Sequence, residues 1–202
     1  MNYLAIDTSG KNLTVIINKG GQLFKFCDKE CGVNHSVALM PKVEELINEA
    51  NFDLSTADFF CAVVGAGSFT GIRIGVATIK ALCFAFNKPC LSITSFDTLA
   101  YNEQGKVLAL IDAKHNGFYA CGYSDGKVVY EPNYLMREQV EMMLGDYGVI
   151  VSATQIEGIN AKIVSVLDGL INAIEQKKQF VSSNIESLAP LYVRKSQAEE
   201  GR

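Results

Sequence analysis

Apolar runs and polar turns follow one another along this chain in a rhythm that occurs twice. Tyr3–Asp7 is a short apolar run ending on a carboxylate, followed by a polar turn, Thr8 to Asn12. Two further strand-like runs, Leu13–Asn18 and Gln22–Cys27, flank Gly20-Gly21. Val107–Asp112 again ends on Asp, turns through Ala113 to Gly117, and continues as Phe118–Tyr123 and Lys127–Tyr130 around Asp125-Gly126. Leu13 and Phe118 each lie six residues after their Asp, and each two-residue turn falls thirteen and fourteen after it. Gly-Gly or Asp-Gly between strand-forming runs predicts a tight hairpin.

Helical and strand patterns follow each triplet. The first is followed by a helix over Ser36–Asn51, a strand Phe59–Gly65, a helix Gly71–Asn87 and a strand Cys90–Ile93. After the second come a helix Arg137–Leu144, a strand Val149–Ser152 and a helix Ala161–Lys177. Strands alternating with helices predict mixed sheets covered by helices. The spacing points to a duplicated α/β fold with subdomains 1–100 and 101–202, meeting near Ser95–Gly105. Such a unit, used twice and opened each time by a strand ending in Asp, resembles the actin/Hsp70/sugar-kinase (ASKHA) superfamily. That resemblance implies a βββαβαβα repeat, abbreviated in the second half, with strand-end acids facing a nucleotide cleft.

The run Phe59–Val64 feeds Gly65-Ala66-Gly67-Ser68-Phe69-Thr70-Gly71. Glycine-rich loops between strand and helix bind phosphate when backbone N–H groups and the helix dipole converge. No standard fingerprint fits, because Ile72 follows Gly71 where a Walker A loop has Lys, and Phe69 stands where an esterase elbow has Ser. Asp7, Thr8 and Ser9 with Gly67, Ser68, Thr70 and Gly71 are therefore candidate nucleotide-binding residues. The alternative is that Gly67 and Gly71 permit a tight turn and close packing, with Ser68 or Thr70 capping the helix and Asp7 closing an Asx-turn.

The helix that follows carries Arg73, Lys80 and Asn87 as a narrow polar stripe, and everything else is small or apolar. A surface helix needs only a partial apolar stripe, so this one is buried within the monomer or against a partner. In the preceding helix Pro41 is expected to kink the chain if it lies past the first turn.

Composition sharpens this picture. The 202 residues are 49% hydrophobic and 20% charged, with 18 basic and 22 acidic side chains and a net charge of −4. Residues 1–100 hold 8 basic against 9 acidic groups and 101–202 hold 10 against 13, so neither half is basic. Phosphate neutralisation drives nucleic-acid binding, so a chain that grips nucleic acid alone is disfavoured. The N-terminal residues lack a basic region ahead of an apolar run, so no secretory leader is expected. The apolar stretch Val76–Phe86 is short and interrupted by Lys80, so no membrane span is expected. Six cysteines within apolar runs predict reduced thiols and a cytoplasmic setting. Only His35 and His115 are available, so neither a hydrolytic triad nor a zinc site is expected. Asp7, Asp97 and Asp112 are the best-placed carboxylates, and no set of residues forms a catalytic constellation.

Nearly the whole chain resembles the family of bacterial tRNA threonylcarbamoyladenosine biosynthesis proteins called TsaB or YeaZ. The blocks that carry this are Leu4–Ser9, His35-Ser36 with Leu39-Met40-Pro41, Gly67–Gly75, Ser95–Ala100, Ile111-Asp112-Ala113 and Pro190–Arg194. Ala66, Lys114 and Gly117 depart from the family's usual proline, arginine and glutamate. The resemblance implies a non-catalytic subunit that dimerises with the catalytic paralogue TsaD and works with the ATPase TsaE. Together they transfer threonylcarbamoyl, made by a separate synthase from threonine, bicarbonate and ATP, to adenosine in tRNA. TsaD binds a metal through two histidines four residues apart; here His35 is followed by Leu39, which implies no metal site. The implied partner surface, also usable for a homodimer, comprises Leu39, Val43, Leu46 and Ile47 with Arg73, Ile74, Ala77, Lys80, Ala81, Phe84 and Ala85. No cofactor of its own is implied, only ATP or ADP at an interface shared within the complex, with tRNA held through the complex. An independent nucleotide-binding enzyme or a regulatory module of the actin-like superfamily is the alternative.

Overall fold

The computed structural model describes residues 1–29, 31–32 and 34–194. The first repeat runs β1 (Tyr3–Asp7), β2 (Leu13–Lys19), β3 (Gln22–Asp28), α1 (His35–Ala50), β4 (Phe59–Val63), α2 (Phe69–Phe86), β5 (Cys90–Ile93) and α3 (Ser95–Ala100). The second runs β6 (Lys106–Asp112), β7 (Gly117–Ser124), β8 (Lys127–Met136), α4 (Arg137–Met143), β9 (Val149–Ser152), β10 (Lys162–Ile163) and α5 (Val166–Lys177).

The strands form two sheets, ordered β3-β2-β1-β4-β5 and β8-β7-β6-β9-β10. Each position in one order matches its counterpart in the other. The central strands β1 and β6 pair antiparallel with β2 and β7 and parallel with β4 and β9. Both hairpins close as expected, Lys19 pairing Gln22 and Ser124 pairing Lys127. Their turn residues all take left-handed backbone: Gly20 (φ 61°), Gly21 (φ 98°), Asp125 (φ 48°) and Gly126 (φ 76°). That conformation matches the twist of the flanking strands, and glycine adopts it without a Cβ penalty. The duplicated actin-like α/β fold is thus present, and its second copy is shorter. Where α2 fills the slot between β4 and β5, an irregular stretch, 153–161, joins β9 to β10.

By contacts the chain divides into Met1–Ile93 with Gln176–Leu191, and Thr94–Glu175 with the chain from Tyr192. This differs from a boundary at residue 100, because α3 closes the first repeat in sequence yet packs with β6, β7 and β9.

In the first unit Leu4, Ile6, Val15, Ile17, Phe60 and Ala62 meet Leu39, Val43 and Leu46 of α1 and Ile72, Val76, Ile79 and Cys83 of α2. Residues 176–191 complete this unit. Cys90 and Ser182 exchange two backbone hydrogen bonds of 2.9 Å, Leu191 N–H donates to the Val64 carbonyl at 2.7 Å, and Leu188 is buried. Pro41 lies inside α1 past its first turn, so residue 41 donates no helical hydrogen bond.

In the second unit Leu108, Leu110, Phe118, Ala120, Val140 and Ile150 form the core. The six residues of α3 are all buried. A Cβ at Gly169 would fall 1.7 Å from the Thr98 carbonyl oxygen, so α5 rests on α3 through a glycine.

Over its 18 residues α2 has a mean hydropathy of 1.5, long and apolar enough to cross a membrane by length and composition alone. The apolar stretch Val76–Phe86 is the later part of this helix, which begins at Phe69. One face of it, Gly71, Ile72, Gly75, Val76, Ile79 and Cys83, is buried in the first unit.

Candidate functional site

The end of β1 and the loop before α2 lie together, as the candidate nucleotide site requires. At the strand end, Asp7 is buried and its Oδ1 accepts from the Ser9 backbone N–H at 2.8 Å and from Ser9 Oγ at 2.7 Å. Burial pushes the Asp7 carboxyl above the usual carboxylate range, opposed by the two Ser9 hydrogen bonds and by the nearby His35. The His35 ring is itself buried, with Nε2 3.0 Å from the Asn12 carbonyl oxygen. The carboxylate thus closes its own turn.

The glycine loop then closes onto this turn. The Gly65–Ala66 peptide is cis. Ser68 caps α2, its Oγ accepting from Gly71 N–H at 3.2 Å. Ser68 N–H donates to the Ser9 carbonyl at 2.7 Å, and Thr8 Oγ1 donates to the Gly71 carbonyl at 2.7 Å. A Cβ at Gly67 would fall 2.2 Å from the Ser9 carbonyl oxygen, at Gly71 2.1 Å from that of Thr8, and at Gly75 2.6 Å from Thr8 Oγ1. At Gly67 and Gly71 these separations exclude any side chain, so only glycine lets the two backbones touch. A phosphate cradle presents converging N–H groups to open space. Here the bare faces of Gly67 and Gly71 are filled by carbonyl oxygens, and the N–H groups of Ser68, Gly71 and Ile72 bond within the chain. The arrangement is a backbone clasp. Thr70 stands exposed on the first turn of the helix.

The other two carboxylates are also held locally. Asp97 is buried in a capping box with Thr94 and accepts from Tyr123 Oη at 2.9 Å. Asp112 is exposed and bonds Lys114 through its backbone N–H and through Nζ, both at 2.8 Å. Lys114, His115 and Asn116 all take left-handed backbone (φ 66°, 51° and 60°). Among the described residues, no three His, Cys, Asp or Glu side chains are grouped to hold a metal. The six cysteines are thiols not joined in disulfides, and burial raises the pKa of Cys83 to about 12.

The residues proposed for a partner surface separate into two sets. Leu39, Val43 and Leu46 are buried in the first unit's own core and are not open to a partner. Ala77, Ala81, Phe84, Ala85 and Arg73 are exposed on α2, with Ile74 and Lys80 half-buried beside them. Phe84 is 84% exposed. The Arg73 guanidinium lies over the Phe69 ring, 3.8 Å from its centroid. Lys80 pairs with Glu186 at 3.3 Å. Between α1 and α2 lies an apolar depression of about 420 Å³ lined by Met40, Val43, Ile47, Leu54 and Leu82. Exposed Met40 and the flanking Leu82 are additions to the sequence-based set. On a helix as uniformly apolar as α2, periodicity could not say which face the sheet would take.

Comparison with known proteins places these features in a family. Residues 28–140 match the family model described as TsaD: tRNA N6-adenosine threonylcarbamoyltransferase. The chain is similar to the tRNA threonylcarbamoyladenosine biosynthesis protein TsaB of Bacillus subtilis (strain 168), with 32% identity over 71% of this chain and 66% of that protein. It is 24% identical to TsaB of Escherichia coli (strain K12), over 77% of this chain and 73% of that protein. Sequence similarity thus spans roughly two thirds to three quarters of each of these two relatives' length. Among solved structures it is similar to a Pseudomonas aeruginosa protein described as resembling peptidase YeaZ, with a TM-score of 0.78 and 25% identity over 96% of this chain and 99% of that one. YeaZ from Pseudomonas aeruginosa superposes with a TM-score of 0.74 at 22% identity, over 95% and 99% of the two chains.

Proposed function

The chain belongs to the TsaB (YeaZ) family, and from that premise we propose that it is a non-catalytic subunit required for forming N6-threonylcarbamoyladenosine in tRNA. On this reading it dimerises with a TsaD-like catalytic subunit, works with a TsaE-like ATPase in the cytoplasm, and meets tRNA through the assembled complex. The observation that carries the reading is the outer face of α2. Ala77, Ala81 and Ala85 form an exposed small-residue row, one helical turn apart, with exposed Phe84 beside it and the depression at Met40, Ile47 and Leu82 alongside. Small residues let a second helix approach closely, and an exposed aromatic ring is a common interface anchor. The same face would serve a homodimer.

The clasp supports the non-catalytic half of the proposal. The Ser9 hydroxyl is held by Asp7, the Thr8 hydroxyl by Gly71, and His35 Nε2 by Asn12. The Thr8 hydroxyl donates to a carbonyl oxygen, which cannot serve a nucleophile as its base. The glycine faces that would cradle phosphate are occupied by the chain's own carbonyl oxygens, so ATP or ADP on this reading sits at an interface shared with another subunit.

The test is substitution in the middle of the alanine row. Ala81→Glu puts a charge into the apolar contact and is expected to abolish co-purification with the TsaD-like subunit while circular dichroism shows a folded chain. Undiminished co-purification would remove α2 from the interface.

A further inference from the structure

The start of α2 rests on residues 8 and 9, backbone against backbone at Gly67 and Gly71 and against the Thr8 hydroxyl at Gly75. Gly67, Gly71 and Gly75 recur every four residues, and the last two lie on one face of the helix, one turn apart. A Cβ at any of the three would fall 2.1 to 2.6 Å from an atom of Thr8 or Ser9. Thr8 Oγ1 donates a hydrogen bond across this seam to the Gly71 carbonyl at 2.7 Å. Thr8 is 0% exposed, whereas Ala77, Ala81 and Ala85 are exposed on a different face of α2.

We infer that Thr8 is a positioning residue for the docking face of α2, setting the height and tilt of the helix through Gly71 and Gly75. The inference rests on the docking role of α2 proposed above. Thr8 is wholly buried and cannot touch a partner, so any effect it has on docking passes through the helix. The glycines remove the side chains that would otherwise wedge the seam, and the hydroxyl supplies directional registry that the glycines lack. Without it the Ser68 N–H bond to the Ser9 carbonyl still holds the N-cap, while the turn at Gly71 and Gly75 rests on packing, which is not directional. The helix then spends part of its time away from the docking orientation, and apparent affinity falls by that fraction.

The experiment titrates the TsaD-like subunit with the full chain and its variants, below the unfolding temperature. Thr8→Val keeps the shape of the side chain and removes the donor, and is expected to weaken binding about three- to ten-fold, the worth of one hydrogen bond. Thr8→Ser keeps the hydroxyl and is expected to restore binding. Gly75→Ala, whose added Cβ meets Thr8 Oγ1, is expected to weaken binding as Thr8→Val does, and serves if the valine variant does not fold. Val15→Ala, a core truncation away from the seam, is the control for loss of stability alone and is expected to bind as wild type. Wild-type affinity for Thr8→Val and Gly75→Ala overturns the inference, and so does equal weakening by Val15→Ala. Ala81→Glu in the same titration reports separately: full binding by that variant removes the docking role of α2 itself.

Discussion

Single residues at the clasp show how a carboxylate and three glycines can look like a ligand site and serve the fold. Asp7 is buried with its carboxyl shifted upward by desolvation, so the folded state holds its proton in a range where the unfolded chain, near 3.8, has lost it. Its contribution to stability is present below that unfolded value and is lost as pH rises toward the folded one. Asp7→Asn keeps an acceptor for Ser9 and cannot ionise. Relative to wild type the variant is therefore expected to gain stability as pH rises from 3 to 7, read from urea midpoints across the series. A constant difference would mean that Asp7 does not titrate across this range. Gly71→Ala drives a Cβ to 2.1 Å from the Thr8 carbonyl and is expected to lose at least about 1–3 kcal/mol, seen as a lowered thermal midpoint. Tyr123→Phe deprives buried Asp97 of a 2.9 Å donor and is expected to destabilise by about 1–3 kcal/mol.

At the scale of elements, α2 decides the account. Its inward positions Ile72, Val76, Ile79 and Cys83 complete the first unit's core, while Ala77, Ala81, Phe84 and Ala85 stay exposed. The sequence made the helix legible and left its orientation open, because nearly every side chain on it is small or apolar. Leu39, Val43 and Leu46 read as docking residues because an apolar stripe suits a partner as well as a sheet, and here they are buried in the first unit's core. The hairpins were fully legible, since Gly20-Gly21 and Asp125-Gly126 meet a backbone requirement local to two residues. The short elements were not. The six residues of α3 and the two of β10 show no periodicity, and β8 continues through Pro132, which an edge strand tolerates because its N–H side can face outward. The clasp was half legible. Residue types brought Asp7–Ser9 and Gly67–Gly71 under suspicion, and only the closeness of Gly67 and Gly71 to the Ser9 and Thr8 carbonyls separates a packing seam from a phosphate cradle.

For the whole molecule, the duplicated sheet order and the shortened second repeat give two units of different use. The first carries the exposed helix face, while the second lacks a counterpart of α2. A net charge of −4, without a basic half, leaves the chain poorly equipped to hold tRNA by itself, and the proposed role asks for apolar docking rather than phosphate neutralisation. Filter binding of tRNA to the isolated chain at physiological salt is accordingly expected to show no saturable retention, against clear retention by the assembled complex. The most direct measurement is reconstituted tRNA modification with the TsaD-like subunit, the TsaE-like ATPase and the threonylcarbamoyl donor, with wild-type chain, with Ala81→Glu and with no chain added. The account predicts full N6-threonylcarbamoyladenosine formation with wild type and background levels in the other two. Undiminished modification without the chain, or modification by the chain alone, would contradict it.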